Sequence, residues 1–562
     1  MVSTAGWRRI PQRARHLFRR ETVGHDAAAG LALAVQSIPN GLATGLLAGV
    51  SPLSGLYGYL YGTLGGSLVT ATSFMPVQAT AAMALMVADV NLGSRTDPTQ
   101  ALYTLTLLTG VVMLIAGVLK AGSLLRFVPT SVMVGFISAV GVNIVISQLS
   151  DLTGYRAQGS TRIGRVVDLV IHPGRIDGPT LAVGLVTIAA ILLLNRTPLR
   201  AVSLVAAVAV GSVLAALLAT GGHPIARVED LAVIPSRLPA ISWPSLGDVG
   251  FLLVPAVSLA FVGLVQGAGV ATAYPPPDGS RADRSRDFIG QGAGNLFSGL
   301  FRGLPVGGSM SGAGVLAAAG ARTRMALVIA GLLIGVMIVG FSGAIGLVAM
   351  PALAGLLVVI GATVVKPAQI AAVARSVPIQ TITMVVTFGL TLVIPLQYAV
   401  LLGVAFAVIL HVVGLSNRMR VHRVVLDAQG HMRETQPPVA IGARDVVVLQ
   451  PYGSFFFASA PVFEAQLPRV AEGTDRSVVI LRLRGVDHLG LGLLDVLRRY
   501  ADQLTARGSK LMIITNEVAI LDQINRSGLG DLLGEENLYR GDEWVGAAVR
   551  RAHADAEDWV KG

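Results

Sequence analysis

The chain has 562 residues, 53% of them hydrophobic and only 13% charged, with a mean hydropathy of +0.68. That composition excludes a water-soluble globular protein and predicts a polytopic membrane protein. The net charge of +11 clusters at the N-terminus and beside apolar stretches, which fits the positive-inside rule and argues against nucleic-acid binding, while the lack of cysteine excludes disulfides, thiol chemistry and Cys-based zinc sites.

The first twenty residues are basic and polar, with no short apolar core ahead of a small-residue cleavage site, so no cleavable signal peptide is expected. Arg8, Arg9, Arg13, Arg15, Arg19 and Arg20 precede the first span and predict a cytoplasmic N-terminal segment, 1–25. Apolar stretches of ~20 residues, the length a spanning helix needs, then recur over 26–416. About fourteen crossings place most basic residues between spans inside: Lys120 and Arg126, Arg196 and Arg200, Arg281, Arg284 and Arg286, Arg322 and Arg324, Lys366 and Arg375, Arg418 and Arg420. An even number returns the C-terminus to the cytoplasmic side of the cell's inner (plasma) membrane. One loop departs from the rule: 151–178 falls outside although it carries Arg156, Arg162, Arg165 and Arg175.

The stretch "LPVGGSMSGAGVLAAAG", 304–320, interrupts the apolar pattern of the tenth crossing. Non-helical backbone at membrane depth must line protein or a watery cavity, because unpaired amides in lipid cost several kcal/mol each. The sequence reads as an extended approach followed by a short helix over about 309–319, whose N-terminus ends near the midplane and aims free amides at an anion. A matching break is expected in the third crossing. There "TSFMPVQATAAMALMV", 72–87, sets Pro76-Val77 ahead of Gln78 and Thr80, as Pro305-Val306 precede Ser309 and Ser311. Two half-helices meeting N-terminus to N-terminus would form a site without formal charge. Close helix packing is the simpler account of the scattered glycines elsewhere.

These residues resemble a known family. "DAAAGLALAVQSIPNGLATGLLAGVSPLSGLYGYLYGTLGGSL", 26–68, is similar to the first two spans of the sulfate permease (SulP) anion transporters, relatives of prestin and pendrin, and "GQGAGNLFSGLFRGLPVGGSMSGAGVLAAAGARTRMA", 290–326, resembles a second block of that family. The resemblance implies an α-helical membrane protein of seven plus seven inverted spans, a core domain moving against a gate domain, a homodimer, and a small anion held between the half-helices during elevator-like alternating access. Departures from the family pattern are informative. Gln266 stands where many relatives carry an acidic residue, Gly312 where they carry Arg, and Gln78-Ala79-Thr80 where they carry Gly-Pro-Thr. The expected substrate site is therefore neutral: Gln36, Asn40, Gln78, Ala79, Thr80, Gln266, Gly308, Ser309, Met310 and Ser311. No Asp or Glu lies between Asp287 and Asp427, so exchange or uncoupled uniport is expected, with Asp89 and His25 as poorly placed alternatives for carrying a proton. Arg302 occupies a position that is Gly in the family pattern; it either draws anions into an outer vestibule or snorkels to lipid phosphate.

Beyond a linker expected at 417–438, short strands and amphipathic helices ("DVVVLQ", "SVVILRLRGV", "GLLDVLRRYADQLTARG", "KLMIIT") predict a small cytoplasmic α/β domain over 439–555, followed by a tail, 556–562. This segment resembles STAS domains. Its loop Asp487-His488-Leu489-Gly490 lacks the hydroxyl that is phosphorylated in bacterial sigma-factor regulators, so Asp487 and Gly490 are expected to cap the next helix and make the turn. A role in folding, dimer contact or recruitment of a cytoplasmic partner follows. No P-loop, "HExxH" or "GxSxG" occurs, so neither an enzyme nor a cofactor or metal is expected. A membrane-tethered anion sensor acting through its STAS domain and a channel-like conductor stay open. Sulfate, bicarbonate, chloride, nitrate, oxalate and C4-dicarboxylates all suit neutral donors, smaller or monovalent anions slightly better.

Overall fold

The computed structural model describes residues 20–122, 128–159, 161–197, 202–232, 235–274, 283–427, 431–541, 544 and 546–562. Arg8, Arg9, Arg13, Arg15, Arg19, Arg126, Arg200 and Arg281 lie outside the described residues. Two compact units divide the chain, Met1–Ala405 and Phe406–Gly562.

In chain order the first seven crossings are α1 (Arg20–Leu47), α2 (Pro52–Val69), the pair β1 (Val77–Gln78) and α3 (Ala81–Ala88), α4 (Pro98–Val118), α5 (Thr130–Thr153), and, after the amphipathic α6 (Arg162–Ile171), α7 (Gly178–Leu194) and α8 (Ser203–Thr220). The second seven repeat the pattern: α9 (Val249–Ala273), α10 (Arg284–Leu300), β2 (Gly307–Gly308) with α11 (Met310–Ala318), α12 (Met325–Gly340), α13 (Met350–Val364), α14 (Pro378–Val393) and α15 (Leu396–Ser416). Proline opens α2, α4 and α14, where its missing N–H costs nothing. The Asp97 carboxylate caps α4 by accepting the Thr99 and Gln100 N–H groups at 3.0 Å each. By contrast α3 has 8 residues and α11 has 9, so at ~1.5 Å per residue neither crosses even half of a ~30 Å hydrocarbon core.

Packing sorts the spans into two bodies. The core joins α1–α4 to α9–α12: α10 lies against α2 and α4, α12 against α1, and α9 against α4. The gate joins α5, α7 and α8 to α13–α15, with α5 against α13 and α14, α7 against α8 and α13, and Gly403 of α15 against Thr387 of α14. On the face where α1 and α10 begin, two carboxylates clamp the loops flanking the half-helices in the same way. Asp26 accepts the Arg322 and Thr323 N–H groups at 2.7 and 2.9 Å and the Thr323 hydroxyl at 2.6 Å. Asp287 accepts the Ala71 and Thr72 N–H groups at 2.8 Å each and the Thr72 hydroxyl at 2.6 Å.

The second unit holds a six-stranded sheet built from β3 (Arg420–Leu426), β4 (Met432–Thr435), β5 (Val446–Tyr452), β6 (Val478–Leu483), β7 (Lys510–Thr515) and β8 (Leu538–Arg540), in the order β8-β7-β6-β5-β3-β4. Strands β5 to β8 are parallel and β3 and β4 antiparallel to their neighbours. Along β5 to β7, Val447, Leu449, Val479, Leu481, Leu511 and Ile513 face one apolar cluster, while the alternating Val448, Val478, Ile480, Met512 and Ile514 face another. Helix α16 (Leu491–Thr505) covers the first face and α17 (Ala547–Lys561) the second. Two expectations change here. Residues 417–438 are not a linker, since β3 and β4 extend the sheet; Arg and His interleaved with the buried Val421 and Val424 disguised the strand. Residues 556–561 are the last turns of α17 rather than a tail. Gly490 is the N-cap of α16, in keeping with the sequence, while the left-handed turn ahead of it falls to Gly485, at φ 68°. What holds the loop is Gln523, whose Oε1 accepts the Leu489 N–H at 2.8 Å and whose amide meets His488 Nδ1.

Candidate functional site

Strands β1 and β2 pair with each other across the two halves of the chain, antiparallel, with Val77 opposite Gly308 and Gln78 opposite Gly307. The Ser309 N–H continues the ladder to the Pro76 carbonyl at 2.9 Å. This pairing satisfies extended backbone that would otherwise be stranded at membrane depth. Each half-helix then starts on a hydroxyl cap: Thr80 Oγ1 accepts the Met83 N–H at 3.3 Å and Ser309 Oγ accepts the Gly312 N–H at 3.2 Å. Helix geometry leaves the N–H groups of Ala81 and Ala82, and of Met310 and Ser311, without intrahelical partners, and both helix dipoles add positive potential at these ends.

Side chains from both halves gather around them. Gln78, almost fully buried, donates through Nε2 to Ser37 Oγ at 3.2 Å. The Thr80 hydroxyl donates to Gln266 Oε1 at 2.9 Å, which links the third crossing to the eighth. The Ser309 and Ser311 hydroxyls lie 3.3 Å apart. Gln36 and Asn40 are buried one turn apart on α1, and Gln36 Oε1 and Asn40 Oδ1 have no hydrogen-bond partner. Ala79 and Gly308 are buried backbone positions, whereas Met310 and Ser311 are exposed. Gly312 gives room for this approach, because a Cβ there would sit 2.7 Å from Pro76 Cγ and 2.9 Å from Gln78 Oε1. An arginine, as in the family pattern, does not fit this packing.

Sequence reasoning missed the residues that hold β2 in place. On α10, Asn295 donates through Nδ2 to the Val306 carbonyl at 2.6 Å and accepts the Val306 N–H at 2.9 Å. One turn earlier Gln291 Oε1 accepts the Gly308 N–H at 3.1 Å, and one turn later the Ser298 hydroxyl donates to the Leu304 carbonyl at 2.6 Å. All three are fully buried. The signal was present as Gln291, Asn295 and Ser298 at i, i+4 and i+7, one polar face on an otherwise glycine-rich and apolar helix.

Arg302 stands apart from this cluster. It lies two residues past the end of α10 with φ at 64°, exposed, close enough to Tyr57 and Tyr103 to act on them electrostatically. Among the described residues its side chain makes no hydrogen bond or ion pair with the half-helices. A left-handed backbone just past a helix end favours glycine, the residue in the family pattern, and costs other residues roughly 1–2 kcal/mol. Arg302→Gly is therefore expected to stabilise the protein by about 1 kcal/mol, read as a raised melting temperature in detergent; an unchanged or lowered value would mean that the guanidinium contributes more than the backbone loses. His25 is exposed at the start of α1. Asp89 ends α3 on the opposite face from Asp26 and Asp287, in an ion pair with Arg162 and accepting the Leu396 N–H at 2.9 Å.

Comparison with known proteins agrees with this architecture. Residues 23–387 match the sulfate permease family and 437–541 the STAS domain. A probable sulfate transporter of Mycobacterium tuberculosis is 26% identical over 96% of this chain and 97% of its own. The bicarbonate transporter BicA of a Picosynechococcus strain is 25% identical over 83% of this chain and 84% of its own. The murine Solute Carrier 26 family member A9 anion transporter, solved in the inward-facing state, superposes with a TM-score of 0.81 at 18% identity, covering 95% of this chain and 92% of that one. With paired half-helices set in fourteen crossings and a family match across most of the membrane unit, the chain belongs to the sulfate permease family and carries a C-terminal STAS domain.

Proposed function

We infer that this anion transporter carries a small inorganic or carboxylate anion between the N-termini of α3 and α11, by exchange or uncoupled uniport, as the core slides against the gate. The observation that supports the reading is the β1–β2 pair, which brings the N-termini of α3 and α11 together; the neutral groups of Gln78, Thr80, Gln266, Ser309 and Ser311, with Gln36 and Asn40 on α1, are the ligands proposed for the anion. Amides and hydroxyls solvate an anion without a fixed cation that would bind it too tightly for turnover. The orphaned Gln36 and Asn40 oxygens fit the same picture, since rotating either amide offers its N–H₂ donors to the anion. With sulfate and bicarbonate transporters among the relatives, those two ions lead the panel to be tested. Both termini lie in the cytoplasm of a cell whose inner membrane the protein spans, so the Asp89 end of α3 faces outward. Two chains form the working dimer, and the STAS domain serves assembly or a cytoplasmic partner.

Flux of labelled sulfate, bicarbonate, chloride and nitrate into proteoliposomes, with voltage clamped by potassium and valinomycin, tests the reading. Uptake that needs an internal anion identifies an exchanger, and uptake set by voltage alone a uniporter. A proton current that tracks substrate and vanishes in Gln266→Ala would overturn the uncoupled mechanism. Absence of flux for every anion would move the function to sensing.

A further inference from the structure

The loop 151–178 breaks the positive-inside pattern with four arginines, and the structure accounts for only part of that charge. Arg175 lies over the Tyr155 ring at 5.8 Å and donates to its hydroxyl at 3.2 Å. Arg156 sits near Asp151. Arg162 pairs with Asp89. Arg165, one turn along α6 from Arg162, is exposed and has no ion-pair partner among the described residues. Asp168 on the same helix is engaged elsewhere, with the Tyr155 hydroxyl at 2.9 Å and the Gln158 N–H at 2.7 Å.

Both Arg162 and Arg165 line a cavity of about 250 Å³, together with Asp89, Ser147 and Ser150. At ~30 Å³ per water that volume holds a small anion with part of its hydration shell. The cavity lies between the two bodies: Asp89 belongs to the core, Ser147 and Ser150 to α5 of the gate, and the arginines to α6, which follows α5. Asp89 also ties across this boundary, beside the Ser258 hydroxyl of α9, which donates to the Gln397 carbonyl at 2.8 Å. Besides Arg162 it holds the N–H of Leu396 at the start of α15, and its carbonyl accepts the Gln397 amide at 3.3 Å. Moving the core relative to the gate at this face requires those bonds to break.

We propose that this cavity is an outer capture site for small anions, in which an anion held by Arg165 competes with Asp89 for Arg162 and so releases the core from the gate. The proposal rests on the transport reading for its direction. A guanidinium can serve a carboxylate or an oxyanion equally well, so exchange of partners costs little, whereas loss of the Asp89 pair without a replacement leaves a partly buried charge exposed to apolar neighbours. Arrival of substrate and opening of the outer face are thereby the same event, and the arginine excess of 151–178 has a role.

The chain contains no cysteine, so Ser150→Cys supplies a single thiol on the cavity wall, with Ser147→Cys as a second position if the first folds poorly. Labelling by a membrane-impermeant thiol reagent is followed in proteoliposomes of the full chain, with external sulfate, bicarbonate or chloride against gluconate. The transported anion is expected to change the labelling rate severalfold, and Arg165→Gln to abolish that response. In flux assays Arg165→Gln should raise the external half-saturation about tenfold, the size of one charge-assisted contact, and leave the internal value unchanged. Asp89→Asn should raise the labelling rate in gluconate. Equal shifts on both sides, or labelling indifferent to anion while wild-type flux persists, would overturn the capture site. Labelling that responds to anion in a protein without flux would keep the site and remove transport instead.

Discussion

Replacing Asn295 with leucine is expected to destabilise the folded protein by several kcal/mol. The two side chains are close in volume, so the change opens no cavity; it deletes the donor and acceptor that serve the Val306 carbonyl and N–H at 2.6 and 2.9 Å. Val306 is fully buried at membrane depth, with no water to take over. Each stranded group costs about 1–3 kcal/mol, so the pair removes about 2–6 kcal/mol from a net stability of about 5–15 kcal/mol. Monodisperse yield and melting temperature in detergent read the effect. An Asn295→Leu protein that is produced and melts like wild type would mean that β1, Gln291 and Ser298 hold β2 without Asn295.

Gly308→Ala should spare the fold and slow the transporter. A Cβ at this position would lie 2.5 Å from the Gly267 Cα and 3.0 Å from its nitrogen, and backbone on a packed span cannot rotate away as a side chain can. Strand β2 must shift from α9, carrying the start of α11 away from its place opposite α3. Overpacking of this kind costs about 1–3 kcal/mol, and at about 1.4 kcal/mol per tenfold in rate the expected loss of flux is about five- to a hundredfold. Gly335→Ala is the control, since its Cβ would meet only the flexible end of Leu60, at 3.6 Å. Equal flux from the Gly308→Ala and Gly335→Ala proteins would separate the anion path from the β1–β2 pair.

Much of this architecture was legible because bilayer physics leaves few options. An apolar run of about twenty residues spans, and proline and glycine inside such a run force a protein-lined break. The half-helix expected over 309–319 runs from Met310 to Ala318, and its counterpart stands in the third crossing as the repeat required. What stayed hidden depends on which faces meet. Gln291 and Asn295 carry no charge and sit among glycines, so their i, i+4 spacing marks a polar face without saying what it holds. Asp89 read only as a poorly placed proton carrier until the fold brought Arg162 and the start of α15 to it from distant parts of the chain. The β3 strand, half basic, had too little apolar signal to separate it from a linker.

The β1–β2 pair also sets a schedule for biosynthesis. Val77 and its partner Gly308 are 231 residues apart, as the difference of their numbers shows. At ~5–20 residues per second, the first strand waits roughly 10–50 s in the membrane before its partner is made. During that interval Val77 and Gln78 have no strand to pair with, so α3 cannot be seated and the first half alone is an unfinished object. The transport site is consequently among the last parts of the membrane unit to form, and a truncated nascent chain released before about residue 308 carries an open edge that quality-control proteases can recognise.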